Sequence, residues 1–278
     1  MQNREFSFSR KNFDFLRKIS NEKTGIVVSD DKFDMFYSRL SRRVRWLGLS
    51  NFDEYCDFIE QGGAKGELTE LINSVTTNLT SFFREQHHFD YLKETVIPEL
   101  LVKNRADKEM SVWSSGCSTG EEPYSLAITL LDALRDNLNW SVRIDATDVD
   151  SNVLATAESG VYVYDHLNGM SKQCLRTWFQ RGMGNNADRV RVKSIVRSMI
   201  DFHELNLVGN WSVAEKKDVI FCRNVIIYFD KKFKKRLVDK YADVLKVGGY
   251  LFIGHSESLF NITDRFELIG KTIYRKIK

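Results

Sequence analysis

Apolar residues in the first 80 positions recur at helical spacing. Phe13, Leu16 and Ile19 follow Ser9, a side chain suited to cap a helix start, and Phe52, Tyr55 and Ile59 follow Ser50 in the same way. Leu68, Leu71, Ile72 and Val75 form an i, i+3, i+4, i+7 stripe. No strand pattern interrupts these stretches, so a small helical domain is expected over residues 1–80.

From Ser111 the rhythm changes. Short apolar runs at Val112–Ser115, Val142–Asp148, Met199–His203, Asp218–Cys222 and Tyr250–Gly254 alternate with helical stretches. Such alternation predicts an α/β domain over residues 81–278, with a mostly parallel sheet covered on both faces and ligands at the carboxyl ends of its strands. The stretch from Gly160 to Arg197 is too long for an ordinary connection. Within it Val190, Val192 and Val196 alternate with Arg189, Arg191, Lys193 and Arg197, after the turn-rich Gly182–Asp188. This predicts a small antiparallel β-subdomain inserted over residues 160–197, with the basic strand at a free edge. No internal repeat is visible.

Composition narrows the picture. With 42% hydrophobic and 28% charged residues, 16 Gly and 2 Pro in 278 residues, the chain is neither fibrous nor disordered. A formal charge of +3 gives no reason to expect nucleic acid as a partner. No apolar run approaches the ~18 residues of a membrane span, and Met1–Arg10 lacks the apolar core of a signal peptide. The chain is therefore expected to be cytoplasmic, with no membrane insertion. Cys56, Cys117, Cys174 and Cys222 are scattered singly, which predicts reduced, buried thiols and no metal site.

The segment WSSGCSTGEEPYSLA, Trp113–Ala127, runs from a strand through a glycine turn into a helix. Gly120 is followed by Glu121 and Glu122 rather than Lys and Ser or Thr, so it is no P-loop; Gly116 and Gly120 do not spell G-x-G-x-x-G either. Two carboxylates there would repel a pyrophosphate. They suit S-adenosylmethionine, which brings a sulfonium, an ammonium and ribose hydroxyls but no phosphate; complementing the helix dipole is the weaker alternative for either acid alone. Asp148, ending the next strand, is placed to accept ribose hydroxyls, while Asp150 suits the cap of the following helix.

These residues carry a family resemblance. Asn78-x-Thr80-x-Phe82-Phe83-Arg84, the GCSTGEEPYS turn, Asp148, Asn206-Leu207, FCRNVIIYFD at Phe221–Asp230 and GHSES at Gly254–Ser258 resemble, in order, the chemotaxis receptor methyltransferases. The resemblance implies a helical domain joined to a Rossmann-like methyltransferase domain with a β-subdomain, S-adenosylmethionine as cofactor (S-adenosylhomocysteine as product), and methyl ester formation on receptor glutamates for chemotactic adaptation. It implies cofactor or acceptor contacts for Asn78, Thr80 and Arg84. Glu122 and Glu121 would take methionine or adenosine polar groups, Asp148 the ribose, and Asn206 and Leu207 the adenine. Arg223, Asn224 and Tyr228 would complete the site, with Arg84 and Tyr228 nearest the chemistry. Phe82 and Phe83 read as core anchors.

Arg39, Arg42, Arg43 and Arg45 fall opposite Phe33, Phe36, Tyr37, Leu40, Val44 and Leu47 on one helix, with no acid from Phe36 to Asn51. The face is either simply solvated or, as the resemblance implies, a dock for the acidic methylation helices of a receptor. The same resemblance suggests that the β-subdomain captures a receptor C-terminal peptide, favoured by Lys172, Arg176, Arg181, Arg189, Arg191, Lys193 and Arg197 against Asp188 alone. His255, Ser256 and Glu257 lack a G-x-S-x-G elbow, so they read as a loop lining the pocket rather than a hydrolase centre. Two other readings keep the cofactor and change the outcome: methylation of RNA or a small carboxylate, and an idle cofactor sensor.

Overall fold

A computed structural model describes residues 4–63, 66–137, 139–211 and 215–278. Helix α1 (Arg10–Thr24) begins at Ser9, whose hydroxyl accepts the Asn12 N–H while the Asn12 side chain accepts the Ser9 N–H. It ends at Gly25, where φ of +73° requires a residue without a Cβ, and a Cβ there would lie 3.0 Å from Val208 of the other domain. Helices α2 (Phe33–Trp46), α3 (Phe52–Glu60) and α4 (Glu67–Val75) complete the N-terminal domain. They enclose Phe13, Leu16, Phe36, Leu40, Phe52, Tyr55 and Leu71 in a separate core. The cap of α3 is Asn51 rather than Ser50: the Asn51 side chain accepts the Glu54 N–H at 2.9 Å, and the Ser50 N–H is taken by the Glu54 carboxylate.

The second domain opens with α5 (His87–Tyr91) and α6 (Ile97–Lys103), joined by a π-helical turn. There follow β1 (Glu109–Ser115), α7 (Glu121–Ala133), β2 (Ser141–Asp148), α8 (Ser151–Ser159), β3 (Val161–Val163), α9 (Lys172–Trp178), β4 (Phe179–Arg181) and β5 (Arg189–Val192). The chain continues through α10 (Ser194–Arg197), β6 (Ile200–Glu204), β7 (Lys217–Cys222), α11 (Lys231–Val244), β8 (Leu245–Ile253), β9 (Phe266–Gly270) and β10 (Ile273–Lys276). The main sheet has the order β6-β2-β1-β7-β8-β10-β9; its first five strands are parallel and β10 runs antiparallel to both neighbours. β7 shows why both faces are covered: Val219 and Phe221 enter one hydrophobic layer, Ile220 and Cys222 the other. The last two strands carry only short apolar stretches, broken by Glu267 in β9 and by Arg275 and Lys276 in β10, so the sequence pattern does not mark them.

The inserted sheet has the order β3-β5-β4, all antiparallel. This corrects the expectation of a free basic edge. The Arg189–Val192 strand is central, paired on both sides, and the free edges belong to β3 and β4. The alternation also stops at Val192, since Val196 lies in α10. Tyr162, Phe179, Val190 and Val192 face the main core, where Phe82 packs edge-on against Tyr162 and Phe179 at 5.0 and 5.3 Å. All four cysteines are free; Cys117 and Cys222 are buried, whereas Cys56 and Cys174 are only half-buried.

Candidate active site

Strand order reverses at β1, which has β2 on one side and β7 on the other, and ligands of open α/β sheets bind at such a switch point. A cavity of about 240 Å³ lies there. The carboxyl ends of four strands supply it: Gly116–Ser118 after β1, Asp148 and Val149 at β2, Leu205–Leu207 after β6, and Arg223–Val225 with Ile227–Phe229 after β7. Residues 76–81 and Arg84, between the domains, close one side, and Thr24 and Ile26 from the end of α1 close another. Gly116 is required: its φ is +91°, and a Cβ would meet Val225 at 2.5 Å.

Nine of the ten residues expected at the cofactor line this cavity, Asn78, Thr80, Arg84, Glu122, Asp148, Asn206, Leu207, Arg223 and Asn224, as does Tyr228, expected nearest the chemistry. Glu121 does not. It is buried away from the cavity, where its carboxylate accepts the Thr119 hydroxyl at 2.6 Å near Tyr162 and His166. Successive helix residues differ by about 100° in direction, so only one of the pair can face the crevice.

Several of these polar groups also have protein partners. Glu122 accepts the Ser114 hydroxyl at 2.7 Å and Arg223 Nη1 at 3.2 Å. Asp148 accepts the backbone N–H groups of Ser118 and Asp150 at 2.8 and 3.0 Å. Asp150 caps α8 as expected, through Asn152 and Val153, and its other oxygen accepts from Thr76 and Asn78. Asn78 is thereby fastened to the α/β domain. Asn206 donates to the Lys23 carbonyl at 2.6 Å, tying the site to α1.

Burial pushes the carboxyl groups of both Glu122 and Asp148 above their usual range; Arg223 and Ser114 oppose this at Glu122, and the Asp150 and Ser118 N–H groups oppose it at Asp148. Two buried acids incompletely compensated by the protein favour a ligand that brings positive charge and hydroxyl donors. S-adenosylmethionine carries both, so the donor set fits it.

Glu257 and Glu85 hold the site together without lining the cavity, so the GHSES loop supports the pocket rather than lining it as its sequence suggests. Glu257 is buried, and its carboxylate accepts the N–H groups of Gly254, Asn224 and Ile227 at 2.6, 3.1 and 3.0 Å. It fixes the turn carrying Tyr228, including Asn224 at φ +59°. Glu85 accepts from His255 Nδ1 at 2.8 Å and faces Arg223 at 3.4 Å. Burial alone would raise Glu85, but the His255 hydrogen bond and the Arg223 charge draw it down to about 2. Glu257 belongs to the GHSES motif, although its supporting role was not read from it, and Glu85 directly follows the motif residue Arg84. Donor atoms of Glu85, His87 and His88 lie within 4.8 Å of one another, yet the adjoining Arg223 cation repels a metal dication there.

The basic face of α2 is less free than its sequence suggests. Arg39 donates to the Ser74 and Thr76 carbonyls, Arg43 pairs with buried Glu67 at 2.5 Å, and Arg45 pairs with Glu5. Arg42 is exposed and makes no ion pair among the described residues.

A Rossmann-like α/β domain whose switch-point crevice is lined by acids, closed by a helical domain, defines an S-adenosylmethionine-binding methyltransferase. Residues 78–275 match the SAM binding domain of the CheR methyltransferases, and residues 11–76 match their all-alpha domain. Chemotaxis protein methyltransferase 2 of Pseudomonas aeruginosa is 40% identical over 98% of this chain and 95% of its own length. The chemotaxis protein methyltransferases of Escherichia coli and Salmonella typhimurium are 40% and 42% identical, covering 96% and 91% of this chain and 91% and 85% of their own lengths. The chain belongs to the CheR family of S-adenosylmethionine-dependent methyltransferases.

Proposed function

We propose that the chain esterifies glutamate side chains on the cytoplasmic helices of chemotaxis receptors. The observation that carries this reading is the cavity itself, where buried acids suited to a cationic methyl donor share one opening with Arg84, a cation suited to a carboxylate acceptor. The donor supplies an electrophilic methyl group on a sulfonium. A glutamate, with a reference pKa near ~4.3, is already an ionised nucleophile at neutral pH, so no general base is needed. His255 accordingly has no proton to take: it is 67% exposed and bound to Glu85. Transfer joins a negative oxygen to a carbon leaving a positive sulfur, so the transition state is less charged than the reactants. Arg84 would hold the acceptor carboxylate in line rather than lower the barrier. Its Nη1 donates to the Leu79 carbonyl at 2.9 Å, which limits its reach. Tyr228 lines the same cavity and would pack beside the reacting atoms.

Arg42 on α2 would guide the acidic acceptor helices by long-range attraction. In the β-subdomain, the outer edge of β4, with Arg176 and Arg181 nearby in sequence, would receive a receptor C-terminal peptide by strand addition. Such a tether raises the local concentration of acceptors without altering the chemistry. Acting on these partners would put the chain in the cytoplasm; no described helix is long and apolar enough to cross a membrane.

Transfer of a radiolabelled methyl group to receptor-bearing membranes, released as methanol by mild base, tests the ester. Label that resists base, or appears in RNA, would overturn the reading. Titration with receptor C-terminal peptides tests the tether separately, and no saturable binding would remove it.

A further inference from the structure

Among the large apolar side chains left exposed, Leu79 (82%) and Ile227 (44%) both line the active-site cavity. Neither is on a loose segment. The Leu79 carbonyl is held by Arg84 Nη1 at 2.9 Å, and its neighbour Asn78 is fastened to Asp150 at 2.7 Å. The Ile227 N–H is held by buried Glu257 at 3.0 Å. The cavity thus has a polar floor and an apolar mouth: Glu122 and Asp148 lie in it largely withdrawn from solvent, whereas Leu79 and Ile227 face water from two separate chain segments. Apolar side chains held rigidly in water gain by being covered.

We infer that Leu79 and Ile227 are two apolar jaws that grip the residues flanking the acceptor carboxylate, and so select acceptors whose neighbouring side chains are aliphatic or small. The occupant is the acceptor segment itself, because Arg84 opens into the same mouth and only a segment presenting a carboxylate there can be methylated; this rests on the reading of the acceptor given above. On a helix the flanking positions are those three and four residues away, which share the face of the acceptor. Seating them on Leu79 and Ile227 displaces water from the mouth and leaves the carboxylate facing a drier cavity, which assists a charge-neutralising transfer. Charged neighbours at those positions would be desolvated against Leu79 and Ile227 without a partner and so be rejected.

The test uses the full chain with Leu79→Ser and Ile227→Ser, membranes carrying one chemoreceptor of its host, and S-adenosylhomocysteine as the cofactor probe. Each variant is expected to raise KM for receptor about tenfold, with kcat within threefold and the calorimetric Kd for S-adenosylhomocysteine within twofold. A receptor whose aliphatic neighbours at three and four residues from the acceptor are changed to Asp should be a poor substrate for the unaltered chain, with a smaller further loss in the variants. Unchanged KM in both variants would overturn the inference, as would an equal fall in cofactor affinity, which would assign the two side chains to the cofactor. If the unaltered chain forms no base-labile methyl on receptor, the acceptor reading itself fails and the inference falls with it.

Discussion

The Arg223 guanidinium lies 3.2 Å from the Glu122 carboxylate, with only 2% of its side chain exposed. The same cation faces Glu85 at 3.4 Å and donates to the backbone carbonyl of Arg84. One side chain thus pairs with a cavity acid and a half-buried supporting acid and holds the main chain of the residue proposed to orient the acceptor. Arg223→Ala is expected to destabilise the fold by about 3–5 kcal/mol, since it leaves two acids buried without a cation. Arg223→Lys should recover part of this, because a single ammonium cannot replace the planar fork. Urea unfolding of both variants measures the difference.

Arg42 and Arg43 are adjacent in sequence but should respond differently to reversal. Arg42→Glu is expected to raise KM for receptor, with a smaller effect in high salt because exposed charges are screened over ~8 to 10 Å. Arg43→Glu would confront Glu67, which is 3% exposed and also holds the Tyr55 hydroxyl, with a second acid. It should unfold the N-terminal domain by several kcal/mol, about 3 or more. Thermal melts beside kinetics separate the two cases.

His88 and Glu85 each contribute stability that is lost as pH drops, in two separate windows, while the raised Glu122 and Asp148 carboxyls act in the opposite sense. His88 is fully buried; desolvation first, and then the Arg223 charge, lower its pKa from 6.5 to about 4. The unfolded chain therefore takes up a proton between pH 6.5 and 4 that the folded chain does not, which removes up to about 3 kcal/mol at ~1.36 kcal/mol per pH unit. Glu85, lowered from 4.5 to about 2, contributes stability that is present above pH 4.5 and is lost as pH falls through 2. Urea unfolding of the chain and of His88→Gln, measured from pH 7 to pH 3, isolates the upper stage: the stability difference between the two should shrink as pH falls from 6.5 to 4 and stay level below it.

Glu257→Ala leaves three backbone N–H groups without their acceptor. A loss of stability of at least about 2 kcal/mol is expected, accompanied by weaker S-adenosylhomocysteine binding, because the turn bearing Asn224 and Tyr228 loses its support. Glu257→Gln keeps an acceptor oxygen but turns an amide donor toward those N–H groups, so it should fall between. Calorimetry and unfolding on both variants check the order.

Much of this site could be read from single positions. Acids at strand ends and a glycine turn entering a helix mark a switch point by local pattern, and Glu122 and Asp148 followed from that. Glu121 misled because adjacent helix residues look alike in one dimension and diverge in three. The basic stripe of α2 misled because Glu67, Glu70 and Glu5 come from other segments, beyond the reach of helical periodicity. The edge assignment in the β-subdomain failed for a related reason, since two three-residue strands, β3 and β4, are too short to register as alternation. Thr24 and Ile26 carried no chemical signal; only folding brings the end of α1 to the cavity.

That placement of Thr24 and Ile26, with the Asn206 bond to Lys23 and the bridge between Ile26 and Phe229, has a consequence for the chain as a machine with two halves. A molecule touching both halves at once behaves as an adhesive. Bound at a hundred times its Kd, it adds about 2.7 kcal/mol to their cohesion. The supply of methyl donor would then set how firmly the halves cling together, and limited proteolysis within residues 76–81 should slow as S-adenosylmethionine is added; cleavage at an unchanged rate would show that the halves hold without it.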